Sequence, residues 1–538
     1  FSATQTVVLE LGDLYVRFHT DGGTVVESTV AISSIVGSAV NTTAPHLYTT
    51  GDWVYIGTRY HKVTVTGASA FTTTDLWNVA TTASGTTAAR VYTLTSTYAA
   101  ADLFDLHFAQ SADVITIVHP NYPARELSRL GAANWTLADI SFAPTLAVPS
   151  GLSAVATVAV ATNLTAQHYK ITAVGTDGVT ESLPSLDATC TNNLTLAGNL
   201  NTLTWAPSVL ASRYYAYKQR GGTYGYIGQV PLVVGETIAS ITRVGTTATL
   251  TTSASHNLAS NDQITVTGAL PAQYSGSFTV TVTGPTTLTY TTASDPGASA
   301  SPVGTYCATT PLVDDNVLAD TGRSPPEDII ALNSGPDDYP SATTYHEQRR
   351  WFAGTDAKPQ VLWATRTGTE TNLTSSIPSQ EADGMELRVA NSQYNQIRHL
   401  VPLSDLIALT AGGEFRVYAE GAPAVTPTSV TIKPQGYAGS SNVQPVVTSG
   451  SILYVQAQGS RVRELAYNWE SNAYRTLDIS IMAPHRFNGH TVTQLAFSRA
   501  PDPLLWAVRD DGVLLGLTYL PDQKVFGWHA HDTDGTFE

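Results

Sequence analysis

Charge is what this chain has least of. Only 13% of its 538 residues are Asp, Glu, Lys or Arg, about half the roughly 25% of ordinary soluble domains. Bases are the scarcer sign: 27 Lys and Arg stand against 43 Asp and Glu, a formal net charge of −16. That balance argues against tight, sequence-independent DNA binding, which relies on cationic neutralisation of phosphates, and it suits solubility. Two cysteines, Cys190 and Cys307, make no disulfide framework, and whether they bridge stays open. No window offers the ~18 consecutive apolar residues of a membrane-spanning helix. The opening stretch FSATQTVVLELGDLYV has neither the basic nor the apolar region of a secretory signal.

Catalytic motifs are missing as well. The His346-Glu347-Gln348 run is not H-E-x-x-H, because position 350 is Arg, so zinc-protease chemistry is excluded there. There is no G-x-x-x-x-G-K-[ST] loop for phosphate-driven work and no G-x-S-x-G nucleophile elbow. His529 and His531 are two apart on an expected strand, with Asp532 beside them; a third ligand to complete a metal site is not evident. Asp314-Asp315 and Asp510-Asp511 are adjacent pairs in turns, weak candidates for the paired carboxylates of glycan cleavage. No catalytic, cofactor-binding or metal-binding residue is assigned, and no cofactor is implied.

What the chain does have is Thr, Val, Ala, Ser, Gly and 25 Tyr, residues that suit a pleated, half-buried surface, while few Lys and Glu are left to solvate helices. The fold class is therefore all-β. Short alternating runs recur with turns between them, and Asp-Gly pairs at Asp21, Asp177, Asp383 and Asp511 read as hairpin turns. Near the end, LLWAVRDDGVLLGLTYLPDQKVFGWHAH reads as a three-stranded meander, the unit of a propeller blade or platform sheet. Helical patterns are modest and confined to 99–108 and 382–400. Sequons at Asn163 and Asn372 are what a Thr-rich chain produces by chance.

A length of 538 residues exceeds one core and points to several domains. The reading is a first body segment at 1–146, a sandwich at 147–235, a small nested β module at 236–310, the last strand and exit of the sandwich at 311–326, and a second body segment at 327–538. Pro144 to Pro149 forms the linker into the sandwich. There Trp205, the Tyr214/Tyr215/Tyr217 run and the Glu181-Ser-x-Pro184-Ser turn resemble a fibronectin type III domain, with the aromatics expected between two sheets. The module's strands, 241–292, resemble small β modules of phage structural proteins. Segment 313–340 carries seven acids against Arg323 alone and reads as a solvated linker. Residues 151–312 hold five bases and six acids, which leaves −15 of the net −16 to the remainder.

The run FAQSADVITIVHPNYPARELSR, 108–129, with HEQRRWFAGTDAKPQVLWATRTGTETNL, NQIRHLVPLSDLIALTAGGEFRVY, TPTSVTIKPQGYAG, SILYVQAQGSRVRELAY and GWHAHDTDGTFE, resembles in consistent order the nozzle proteins of short-tailed bacteriophages, also called tail tubular protein B. The resemblance covers about 1–146 and 311–538. It implies an all-β platform or incomplete propeller and a structural, non-enzymatic role in the virion tail. It further implies a homo-oligomeric ring of six copies that meets the portal-adaptor proteins, carries tail fibres or spikes, and lets double-stranded DNA pass through its lumen. A glycan-binding or depolymerising tail protein is the alternative. Family members extend beyond both ends of the matched region, so a longer polypeptide is expected, and an intact virion protein near 57.0 kDa would refute that.

Overall fold

The computed structural model describes residues 6–74, 86–178, 180–208, 210–328, 332–390, 395–448, 450–458, 460–531 and 535–537. Among them the chain is all-β, strand following strand, with only short 3-10 turns as helical elements. Both expected helical stretches give way. Residues 99–108 hold a 3-10 turn, Ala100–Asp105, and then strand His107–Ser111. Residues 382–400 hold Met385–Arg388 and the start of Ile397–Pro402, both strands. Their apolar residues alternate into neighbouring sheets, and tertiary burial overrides weak helical periodicity.

The body is a run of four-stranded antiparallel sheets. The first comprises His107–Ser111, Val114–His119, Tyr122–Gly131 and Asn134–Asp139. A second is built from Ala342–His346, Arg349–Ala353, Val361–Ala364 and Met385–Arg388. Three plain meanders follow, spanning 397–436, 446–478 and 492–531. In the last of these, strands Leu504–Arg509 and Leu514–Leu520 turn at Asp511-Gly512, where Gly512 sits at φ +77°, a conformation glycine adopts at little cost. Each sheet shares an apolar cluster with the next: Phe142, Phe352, Trp363 and Leu373 join the first to the second, Trp351, Leu406 and Phe415 the second to the third, Ile407, Tyr454 and Leu465 the third to the fourth, and Leu453, Leu505 and Leu517 the fourth to the fifth. No hydrophobic cluster among the described residues joins the fifth sheet back to the first.

Ahead of this run, strands between Val30 and Arg90 close into a six-stranded barrel around Ile32, Val40, Val54, Val63 and Phe71. Closure removes strand edges that would template aggregation in so Thr-rich a segment. Strands this short and polar gave no sequence signal of closure.

Between the first and second sheets the chain makes a two-sheet sandwich. Ser153–Thr157, Leu200–Thr204 and Leu312–Asp314 form one layer, and Ala188–Asn192, Thr165–Gly175, Ala211–Arg220 and Thr223–Pro231 the other. Trp205, Tyr214 and Tyr217 are buried. Strands from Val233–Val234 to Thr305–Thr309 build a separate pair of four-stranded sheets with their own core. The return strand Leu312–Asp314 re-enters the sandwich beside Leu200–Thr204. Segment 313–340 is thus no solvated linker. Asp314 is fully buried and accepts bonds from Tyr169 at 2.6 Å and Lys218 at 2.9 Å, and Ser324–Asp328 pairs with Thr374–Ile377.

Asp383 also departs from the sequence reading. It tips no hairpin: its buried carboxylate pairs with Arg366 at 2.8 Å and accepts the amides of Ser376 and Gln380 at 2.9 and 2.8 Å. The two arginines of HEQRRW have divided roles. Arg349 donates to the carbonyls of Thr365, Glu381 and Asp383. Arg350, 0% exposed, reaches from the second sheet to the first, donating to Glu126 at 2.6 Å and to Thr116. Arg350 is enclosed while Glu126 keeps 31% of its side chain open to water, so Arg350→Ala is expected to destabilise the body by about 1.5–3 kcal/mol, through its lost charge-assisted hydrogen bonds. Denaturant unfolding monitored by tryptophan fluorescence checks it; a loss below about 1 kcal/mol would place the pair among inconsequential surface bridges.

Candidate functional site at the seam of the body

The first and second sheets lie far apart in sequence, and their seam, with the first strand of the third sheet, gathers a group of titratable side chains. His107 opens the first sheet, and its Nδ1–H donates to the carbonyl of Ser341, 234 residues away. Its ring meets that of His399 edge-on, centroids 4.8 Å apart. His399 is buried, and its Nε2–H donates to the carbonyl of Ser441 at 2.8 Å while Nδ1 has no partner. Carbonyls only accept, so each bond fixes the proton-bearing nitrogen. His119 is buried too, its Nδ1 accepting the amide of Asn121 at 3.0 Å and its Nε2 lying 4.0 Å from Asp102. Asp102, Asp105, His107, His119 and Arg398 line a cavity of about 140 Å³.

Burial lowers the pKa of all three histidines below 6.5, His399 furthest. Asp102 and Asp105 oppose the shift at His119, and His107 and Arg398 reinforce it at His399. Burial also lowers Arg398, whose Nη1 donates to Ser440 at 2.7 Å. The seam is therefore neutral where it is most enclosed. The Ser341 hydroxyl is committed to the carbonyls of Ala353 and Ile397.

The residues weighed from sequence lie elsewhere. His346 faces Glu347 at 3.8 Å, and Glu347 accepts the amide of Val425 at 2.6 Å, closing a strand turn. His529 and His531 bring their rings to 5.0 Å of each other beside Trp506; Asp532 lies outside the described residues. Among the described residues, His490, Asp510 and Asp511 bring potential ligand atoms within 4.8 Å. Those atoms are already engaged. Thr491 donates its amide and hydroxyl to Asp510 at 3.0 and 2.9 Å. Arg509 forks onto Asp511, whose pKa falls to about 2 mainly through that bond. The trio ties down the Asp511-Gly512 turn. Asp314 is a structural acid of the sandwich, and Cys190 and Cys307 are both free thiols. Sequence reasoning missed the seam histidines, though His119 and His399 lie inside two of the stretches it quoted; no spacing rule links residues that meet only across folded sheets.

No protein-family model matches this chain, and no curated protein matches it in sequence. Solved structures give faint likenesses. AztD of Citrobacter koseri has 7% identity and a TM-score of 0.24, over 69% of this chain and 83% of that one. Its apo form has 9% identity and a TM-score of 0.20, over 88% and 94%. Phage phi92 endosialidase has 15% identity and a TM-score of 0.19, over 78% and 62%. Likeness this faint carries no argument about fold or function.

The seam makes stability depend on pH. Above 6.5 these histidines are neutral in folded and unfolded chains alike, and their shifts cost nothing. Below it the unfolded chain takes up protons that the fold refuses, so stability falls toward the depressed folded values, by up to ~1.4 kcal/mol per pH unit for each histidine. Melts from pH 7.5 to 4.5 should show this loss, and His399→Gln should flatten the slope. An unchanged slope in that variant would remove the seam as its source.

Proposed function

We propose that the chain is a structural subunit of the tail nozzle of a short-tailed bacteriophage, located in the virion tail and not an enzyme. One observation carries the reading: stretches resembling nozzle proteins recur in family order over about 1–146 and 311–538. Two of them, 108–129 and the run beginning at His346, supply Glu126 and Arg350 of the inter-sheet pair, so the resemblance falls on residues that hold the body together. The absence of catalytic motifs from the sequence accords with a mechanical part.

In this reading copies assemble head-to-tail into a closed ring of six, the number implied by the resemblance; such contacts close when the rotation per subunit does. Portal-adaptor proteins dock above, and fibres or spikes attach at the periphery. The sandwich and module project outward, while the body, with −13 of the net −16 charge once the sandwich's exit segment (Asp314, Asp315, Asp320 and Arg323) is set aside, surrounds the channel. Duplex DNA carries about one charge per 1.7 Å of axis. A wall rich in Asp, Glu, Ser and Thr repels it within a Debye length of about 8 Å, giving a conduit that does not grip its cargo and, before infection, a gate.

Electron microscopy of the purified protein tests the assembly. Rings are expected, and they should persist when residues 148–325 are deleted. Rings lost on that deletion would overturn the division between body and inserts, and a basic lumen would overturn the low-friction mechanism. Release of reducing sugar from host envelope would overturn the non-enzymatic reading in favour of a depolymerase.

A further inference from the structure

The last two sheets of the body part around a cleft of about 460 Å³, at whose base lies Glu464. Glu464 is 8% exposed, and one of its oxygens accepts the Tyr519 hydroxyl at 2.6 Å. Tyr519 is held in turn by Ser451 at 2.8 Å, and Ser451 by Thr448 at 2.7 Å. The second oxygen, Oε2, takes no hydrogen bond among the described residues, and no Lys, Arg or His pairs with the group. Other buried acids are treated differently: Asp262, also without a Lys or Arg partner, accepts the Ala259 amide and has its pKa raised by burial. Asp314 has Lys218 and Asp383 has Arg366. Glu414, sealed in the core against Tyr454, has its pKa raised by burial. Glu464 has neither a cation nor a sealed environment; it has an open cleft.

The lining narrows what fits. Phe497 and Tyr519, edge-on with centroids 6.1 Å apart, and Pro503 and Pro521 supply apolar and π surface. Asp522 adds a second acid, and no basic residue lines the space. Anions are repelled from such a cleft. A buried carboxylate without a counter-charge is costly, and a cation next to aromatic faces gains further attraction.

We infer that this cleft binds an alkylammonium group, with the ammonium on Glu464 Oε2 and the alkyl chain along Phe497 toward Asp522. A free polyamine and a lysine side chain of another protein present the same chemistry. The inference does not depend on the nozzle assignment, and its test reads binding by the isolated chain.

Calorimetric titration of the full chain uses putrescine, Nα-acetyl-lysine methylamide as the side-chain surrogate, and N,N′-diacetylputrescine as an uncharged control. The two amines are expected to bind at or below about 1 mM, more weakly as salt rises, while the diacetyl compound does not bind. Glu464→Gln should weaken amine binding at least about tenfold. Asp522→Asn should weaken putrescine more than the single-amine surrogate. Tighter binding of putrescine would identify a free polyamine as the source, and tighter binding of the surrogate a protein side chain. Amine binding absent at about 10 mM, or unaffected by salt, or matched by the diacetyl compound, would overturn the proposal. The last two readouts need no variant, so a Glu464→Gln chain that fails to fold does not shield it.

Discussion

One polar contact ties together two sheets of the body through residues 224 apart in sequence, the pair of the enclosed Arg350 with the half-buried Glu126. Most donors of this fully buried guanidinium meet acceptors, while its Nε–H meets none among the described residues. Arg350 meets Glu126, Thr116 and, at 3.6 Å, Glu370, which itself accepts the Tyr345 hydroxyl at 2.6 Å. Apolar contacts beside it, such as Phe142 edge-on to Phe352 at 4.9 Å, supply most of the stabilisation, because burial scales with area and not direction. The charge supplies what apolar area lacks, a single register. Asn333 reinforces that register by pairing its amide with both backbone groups of Ala124 and with the carbonyl of Ile140, an extra rung on the first sheet.

The same constraint explains how the chain tolerates a nested insertion. A long excursion between joined ends costs little extra loop-closure entropy once the ends are fixed. Asn333 and Arg350 fix the outer pair. The inner pair is fixed by Asp314, whose carboxylate also accepts the amides of Asn316 and Val317 at 3.1 and 2.8 Å and so pins the return strand as it re-enters the sandwich. Each level of insertion is closed by a buried polar side chain at its exit.

Local features were legible in the sequence and distant ones were not. The all-β class followed from Thr, Val and Tyr usage, the Asp511-Gly512 turn from its need for positive φ, and the burial of Trp205 and Tyr214 between the sandwich sheets from aromatic alternation, whereas Tyr217 is buried on the other face against Glu181. The six-stranded barrel was not legible, because closure is a property of strand tilt and register rather than of any one short strand. Asp383 and Asp314 were misread for a shared reason: an acid beside Gly or Asp looks like turn chemistry until its cationic partner, Arg366 or Lys218, is found across the fold. The seam histidines and Glu464 lay inside or beside stretches singled out for other reasons, and only their environment distinguishes them.

Where the few bases went bears on how the acidity is displayed. Arg349, Arg350 and Arg366 are at most 4% exposed, and the side chains of Arg125, Arg416 and Arg509 are 14%, 14% and 11% exposed. Several acids remain far more open: Glu370 at 50%, Asp139 at 61% and Glu420 at 64%. The fold draws its arginines inward because a planar guanidinium can satisfy several acceptors at a seam where a point charge cannot. Burial takes both signs, since Asp262, Asp314, Asp383, Glu414 and Glu464 are enclosed as well. Arg350 joins two sheets, whereas Arg125, Arg416 and Arg509 pair with Asp139, Asp405 and Asp511 of their own sheets, and the open carboxylates help keep a strand-rich, weakly charged chain from self-association. The negative charge displayed is that of the composition itself, 43 acids against 27 bases, before any function is asked of it.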